Sequence, residues 1–357
     1  MGLPLSLWWP WCRTWLESWP PGSWHTPSSA GWGPEHYHAK CDHIGDDAWH
    51  NGSTLSRQAP AWSTTVATLL RLNGSRLLFL GDSLSLEHWL HTLCHLITPA
   101  LQRQAHGHDA IPLQIRHSPT ELMTPTMSQP KTVERVLHNC VQLSVPFAVA
   151  SLCWAHLGVR DQAHESGWPA LAPRVLDKLA RAGALRRQDT IVANIGLLFT
   201  EPHGGALAQA VQLLLEAHAR LPVAVRPRLI WRETAPQHFD SPDGSYWLPG
   251  GRVTSQAQGW HDTRSCVPLQ NVTRANIFNS NTRDIVGRFP SVATLHIWDA
   301  SASAWTEHPA VELDPRRRKR YLDCTHYCQQ SGVLSWWTTE LLRLLGILPD
   351  DDRKKVA

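Results

Sequence analysis

The chain has 357 residues, 42% of them apolar, enough to bury a sizeable core, so a miniprotein held together by disulfides alone is excluded. Its 33 Lys and Arg against 30 Asp and Glu leave a net charge of +3, and only 18% of residues are charged, which argues against nucleic acid as a partner. No run of eighteen or more apolar residues occurs, and no membrane anchor is visible.

Residues 1–62 hold nine of the 19 tryptophans and two cysteines amid many Pro, Gly and Ser, with no sustained period, and read as a loop-rich lobe. Met1 to Pro10 lacks the basic start of a secretory signal and is interrupted by Pro4 and Pro10, so the targeting segment is either atypical or upstream. From residue 63 the texture changes: Thr64–Leu72 suits a helix, Arg76–Leu80 a short buried strand, and Leu84–Ile97 a helix after the Gly81-Asp82-Ser83 punctuation. Residues 101–146 are polar and weakly periodic and read as an insertion over one end of a sheet. Strands are predicted over Phe147–Cys153, Asp189–Ala193, Pro227–Trp231 and Thr294–Trp298, with helices over Ala206–Leu221 and Val333–Leu345. Arg316–Arg320 reads as a solvated basic linker. Short apolar strands alternating with helices predict an α/β fold class with a mainly parallel sheet, in a domain over 63–357 that follows the 1–62 lobe.

The eight cysteines, at 12, 41, 94, 140, 153, 266, 324 and 328, are even in number and too scattered for zinc fingers, which favours disulfides. Three N-x-S/T sequons, Asn51-Gly-Ser53, Asn73-Gly-Ser75 and Asn271-Val-Thr273, point the same way, toward a secretory compartment.

Four segments could carry chemistry. A strand ending in Gly81-Asp82-Ser83 and opening into a helix puts a hydroxyl at the carboxyl edge of the sheet, where the helix N-terminus favours a developing oxyanion. The competing reading is a helix cap. Asp323 and His326, three apart in one turn, could form the carboxylate and imidazole that deprotonate such a serine; otherwise they are a surface turn or metal-site fragment. Asn194 and Gly196 follow a strand, where an amide could donate to an oxyanion or cap a turn. Arg232 leaves the strand ending at Trp231 and could clamp an anionic or carbonyl group, or pair with Glu233 or another acid.

These segments resemble the PC-esterase family of SGNH-type proteins, which includes the plant trichome birefringence-like polysaccharide O-acetyltransferases. Arg76–Ser85, with Trp89 and Cys94, is similar to its GDS block, and Asp323-Cys-Thr-His-Tyr-Cys328, before Trp336 and Trp337, to its DxxH block. Val192–Gly196 is similar to its Asn-x-Gly segment, and Arg232–Phe239 to its Arg-x-x-x-Pro-x-His stretch. The resemblance covers most of the chain and implies an SGNH-hydrolase-like three-layer sandwich with a Cys/Trp-rich N-terminal lobe. It implies Ser83 as nucleophile, His326 as base and acid, Asp323 as orienting carboxylate, and Asn194 with the Ser83 N–H in the oxyanion hole. Gly81, Asp82, Gly196 and Arg232 would shape the oxyanion and substrate-binding site. The implied activity is O-acetyl transfer to a polysaccharide or glycan hydroxyl through an acyl-serine, with acetyl-CoA or another activated acetyl compound as donor and no bound cofactor or metal. A Golgi or extracellular location goes with it. The sequence departs from the family where Leu86-Glu87-His88 replaces the common Arg-Asn-Gln, and where Gln329–Trp336 replaces the Pro-Gly-x-x-Asp-x-Trp-Asn run, which leaves donor and acceptor open.

An esterase using water as acceptor and a silent glycan-binding protein are the competing functions. His88, His91, Cys94 and His95 at helical spacing, or His36, His38, Cys41 and His43, could instead hold a metal. A working disulfide hypothesis joins Cys324 and Cys328 to Cys266 and the N-terminal lobe. Trp89, Trp231, Trp336 and Trp337, beside the candidate segments, are better sugar-stacking candidates than the tryptophans clustered near the N-terminus, with space filling the competing reading for each.

Overall fold

The computed structural model describes residues 61–105, 112–119, 138–156, 171–198, 205–245, 247–248, 251–252, 266–314, 319–329 and 331–349. The expected lobe over 1–62, the His36–His43 cluster and Asn51 lie outside them, except for residues 61 and 62.

Helix α1 (Trp62–Arg71) leads into β1 (Arg76–Gly81), and α2 (Ser83–Ala105) follows directly. Strand β2 (Gln114–Pro119) precedes the hairpin of β3 (His138–Val145) and β4 (Ala148–His156). Next come α3 (Leu171–Arg181), β5 (Thr190–Asn194), a 3₁₀ turn at Gly196–Leu198, α4 (Ala206–Arg220) and β6 (Arg228–Arg232). After the short strands β7 (Trp247–Leu248) and β8 (Gly251–Arg252) come α5 (Val272–Ala275), α6 (Ile277–Gly287), β9 (Val292–Leu295) and α7 (Trp298–Ala302). A 3₁₀ turn at Trp305–Glu307, a hairpin of β10 (Ala310–Asp314) and β11 (Lys319–Asp323), and α8 (Gly332–Leu344) complete the described chain.

Seven strands form one sheet in the order β2-β3-β4-β1-β5-β6-β9. The five from β4 to β9 are parallel, and β3 and β2 add antiparallel at one edge. Taken in chain order, the parallel strands run 2-1-3-4-5, one of the doubly wound arrangements. Strand β1 is central, with Phe79 opposite Trp154 on one side and Val192 on the other. Both its faces are covered, so it reads as an unbroken apolar run rather than an alternation.

The alternation reappears in the packing. Leu77, Phe79, Leu152, Val192, Ile230 and Leu295 face a cluster with α1, α2 and α8. Leu78, Leu80, Cys153, Ile191, Leu229 and Trp231 face a second cluster with α3, α4 and α6. Helices therefore cover both faces of a mostly parallel sheet, the predicted α/β class.

Three sequence readings change. The 101–146 stretch is not only an insertion over the sheet: it ends α2 and supplies β2 and β3, the latter joined to β4 by a Cys140–Cys153 disulfide between register partners. Helix α2 runs past Pro99, whose missing N–H and ring clash usually end a helix. The last strand of the sheet is Val292–Leu295, and Trp298 begins α7 instead of closing that strand.

Candidate active site

Ser83 is the first residue of α2, directly beyond the carboxyl end of β1. Its neighbours β4 and β5 are the strands between which the winding direction reverses, where doubly wound sheets leave a crevice. Gly81 is required here: a Cβ would collide with the carbonyl oxygen of Asn194 on β5 and with Ser85 Oγ. Asp82 is buried and caps the first turn of α2, its Oδ1 accepting the Ser85 N–H at 3.2 Å.

The second half of the site arrives from the far end of the sequence. Strand β11 ends at Asp323, and the turn after it brings the His326 ring to Ser83. His326 Nε2 lies 2.7 Å from Ser83 Oγ, and Nδ1 lies 2.7 Å from Asp323 Oδ2. A carboxylate only accepts, so Nδ1 carries the hydrogen and Nε2 presents its lone pair to the serine hydroxyl. Asp323 Oδ1 also accepts the N–H groups of Thr325 and His326, each at 3.0 Å. Burial pushes the Asp323 carboxyl up, but the charge and hydrogen bond of His326 and these two N–H groups outweigh it and hold the acid well below the usual carboxylate range.

The turn is fixed from several directions. Cys324 is bridged to Cys266, matching that half of the disulfide hypothesis. Cys328 is also disulfide-bonded, and pairing with the N-terminal lobe lies outside the described residues. The Cys324 carbonyl accepts the His238 N–H at 2.9 Å, and Gln237 Nε2 donates to Thr325 Oγ1 at 2.6 Å. Glu307 contributes twice: its backbone carbonyl accepts the Cys328 N–H and its Oε2 accepts the Val333 N–H, both at 2.9 Å. His308, also buried, donates from Nδ1 to the His326 carbonyl at 2.6 Å, while its Nε2 meets His238 Nδ1 at 2.7 Å. Burial holds both rings below the ordinary histidine range, His238 at about 4, so they are neutral struts.

Two of the expected oxyanion and substrate groups turn inward. Asn194 is fully buried and donates both amide hydrogens within the protein, to the Arg232 carbonyl at 2.8 Å and Thr234 Oγ1 at 2.9 Å. Its Oδ1 accepts the Gly196 N–H at 3.2 Å, so Asn194 braces the ends of β5 and β6 and no amide hydrogen is left for an oxyanion. Gly196 is needed because a Cβ would strike Thr234. Arg232 is 1% exposed and donates to the Leu84 carbonyl at 2.9 Å and Ser85 Oγ at 3.3 Å, with Asp82 at 3.9 Å. It clamps no anion at the surface; it supports the serine turn from behind. Burial lowers its guanidinium to about 10 against the attraction of Asp82 and Glu87. Glu233 pairs with His296 instead.

Trp89, Trp231 and Trp337 are also core side chains, at 0%, 2% and 0% exposure, and offer no face to a sugar ring; Trp336 is partly buried. Among the described residues no group of three or more His, Cys, Asp and Glu has metal-holding geometry. Cys94 is in a disulfide, and His91 Nδ1 is engaged by the Gln329 carbonyl at 2.8 Å. Nothing in the sequence pointed to Glu307 or His308, which lie in a segment without period or motif. Searches against family models and curated proteins find no match to this chain.

The arrangement can pass a proton from a hydroxyl to an imidazole held in one tautomer by a carboxylate. The Ser83 N–H at the start of α2 lies among the donors that an α-helix leaves without intrahelical partners, next to the hydroxyl.

Proposed function

We propose that the protein is a serine-dependent acyl-transfer enzyme that moves an acetyl group to a hydroxyl of a polysaccharide or glycan. The observation that carries this reading is the chain of two 2.7 Å contacts, Ser83 Oγ to His326 Nε2 and His326 Nδ1 to Asp323 Oδ2. In the proposed reaction Ser83 Oγ attacks the acetyl carbonyl while its proton passes to His326 Nε2. The tetrahedral intermediate collapses to acetyl-Ser83 as His326 returns the proton to the leaving group. The acceptor hydroxyl then gives its proton to His326 and attacks the acetyl carbonyl, and His326 passes that proton to Ser83 Oγ as the acyl-serine bond breaks, restoring Ser83. The acceptor class rests on the resemblance of the Gly81–Ser83 and Asp323–His326 segments to the polysaccharide O-acetyltransferases. The donor is an activated acetyl compound such as acetyl-CoA.

We place the protein in the secretory pathway, in the Golgi or outside the cell. Disulfides such as Cys140–Cys153 and Cys266–Cys324 fit an oxidising compartment. No helix among the described residues is long and apolar enough to cross a membrane.

Incubation with p-nitrophenyl acetate should leave acetyl on Ser83, read by peptide mass spectrometry, and Ser83→Ala or His326→Ala should abolish it. Absence of label on the folded wild type at any pH from 6 to 9 would sink the enzyme reading. Adding oligosaccharides then separates transfer from hydrolysis, since an esterase releases acetate without acetylating the sugar.

A further inference from the structure

We propose that Glu87 is a positioning residue that ties the helix bearing Ser83 to the turn bearing His326. The inference rests on the reading of Ser83 and His326 as nucleophile and base. Glu87 lies four residues after Ser83 in α2, one helical turn on and so on the same side, and none of its surface is exposed. Its Oε2 accepts the backbone N–H of Tyr327 at 3.1 Å, and Tyr327 immediately follows His326. One side chain on the nucleophile's helix thus holds the peptide next to the base.

A carboxylate this deep needs charge and hydrogen-bond partners, or it would take up a proton. Arg232 supplies the charge: its attraction to Asp82 and Glu87 works against the burial that lowers it, and it sits 5.0 Å from the centroid of the Trp337 ring. The same guanidinium donates to the Leu84 carbonyl beside the nucleophile. Glu87 and Arg232 therefore join α2, the end of β6 and the 323–329 turn, the three segments whose spacing sets the Ser83–His326 contact. The position also falls within Leu86-Glu87-His88, where this sequence leaves the family's common Arg-Asn-Gln. An acid at this position accepts the peptide N–H and adds a negative charge that favours the buried arginine's cation.

A carboxamide accepts the Tyr327 N–H as a carboxylate does, whereas alanine does not. We therefore expect Glu87→Ala to slow acetylation of Ser83 by p-nitrophenyl acetate by on the order of 10²-fold in kcat, as small displacements of reacting groups do, with KM for the ester changed by less than about twofold. Glu87→Gln should recover most of that rate. A folded Glu87→Ala protein acetylating at the wild-type rate overturns the proposal, and so does a Glu87→Gln protein as slow as Glu87→Ala. If Glu87→Ala does not fold, Glu87→Asp carries the test, because it keeps the charge but withdraws the oxygen by one methylene. It should show the same loss in kcat, and a wild-type rate overturns the tie. Amide hydrogen exchange at Tyr327 separates this inference from the enzyme reading. Protection in the wild type that is lost in the alanine or aspartate variant supports the tie even if no acetyl-serine forms, and unchanged protection overturns it.

Discussion

The Nδ1–H of His308 donates to the backbone carbonyl of His326 at 2.6 Å, so a second, fully buried imidazole supports the residue proposed as general base. The His308 ring also packs on Tyr327, with centroids 4.3 Å apart, and the next turn residue is therefore held by stacking as well. His308→Leu removes the donor and leaves a buried carbonyl without it, a loss of about 1–3 kcal/mol. A drop in Tm of several degrees is expected, with Ser83 acetylation slowed about tenfold. His308→Asn, whose amide nitrogen reaches close to the Nδ1 position, should restore both. An asparagine variant no better than leucine would show that shape, not the hydrogen bond, matters here.

Asn194 gives a test in the opposite direction. An oxyanion donor is worth roughly 10²–10³-fold in rate, but both amide hydrogens of Asn194 are spent on the Arg232 carbonyl and Thr234 Oγ1. Asn194→Ala should therefore act first on stability, by about 1–3 kcal/mol for stranding buried partners. The folded fraction should lose less than tenfold in acetylation rate. A loss above 10²-fold with an unchanged Tm would return Asn194 to the oxyanion hole.

The sheet was legible where strands are buried on both faces: Arg76–Gly81, Thr190–Asn194 and Arg228–Arg232 appear as apolar runs within a residue or two of their predicted bounds. Strands β2 and β3 were not, because Gln114–Pro119 and His138–Val145 mix polar and apolar residues without a clean period. Serine, aspartate and histidine were legible as candidates because each sits where a strand or turn is punctuated. Orientation was not: whether Arg232 faces solvent or the back of the serine turn depends on Leu84 and Ser85, some 147 residues away in the chain. The same holds for Glu87, whose partner Tyr327 lies 240 residues on.

Acid should unfold the protein early. Burial holds His91 at about 3 and His95 and His238 at about 4, against an ordinary value of 6.5, and lowers His88, His218 and His308 as well. Between 6.5 and the folded values the unfolded chain binds protons that the folded chain does not, so stability falls as pH falls through that window. Each such histidine adds up to about 1.4 kcal/mol per pH unit to the slope. Asp323 acts lower, since its depressed carboxyl contributes stability that is present above its ordinary value of 3.8 and lost on further acidification. Urea melts from pH 4.5 to 8 should show a steep decline below 6.5, flattened in His95→Gln; a level profile over that range would contradict the buried neutral rings.

The Cys266–Cys324 bridge adjoins Asp323 and should matter to geometry as well as stability. Replacing both cysteines with serine is expected to cost about 2–4 kcal/mol. It should also lower Ser83 acetylation in protein that is still folded, because the turn loses one of its anchors. Equal acetylation rates for the two folded proteins would reduce the bridge to a stability device.

Two sequons, at Asn73 and Asn271, are exposed, and among the described residues their side chains use only the amide oxygen in the fold. Asn73 is exposed in the turn before β1, and its Oδ1 accepts the Val149 N–H at 3.0 Å. Asn271, also exposed, caps α5 with its Oδ1, which accepts the Arg274 N–H at 2.9 Å. N-glycosylation takes place on Nδ2, the other amide atom, so either side chain could carry a sugar and keep its hydrogen bond. Asn73 lies at the amino end of β1, opposite Ser83, so a glycan there should leave acetylation unchanged. Secreted from eukaryotic cells, the chain should lose mass on treatment with peptide N-glycosidase. Asn73→Asp and Asn271→Asp, which keep the accepting oxygen, should each remove one glycan with little change in Tm. Secreted protein bearing no glycan at either position would contradict this reading of the two asparagines.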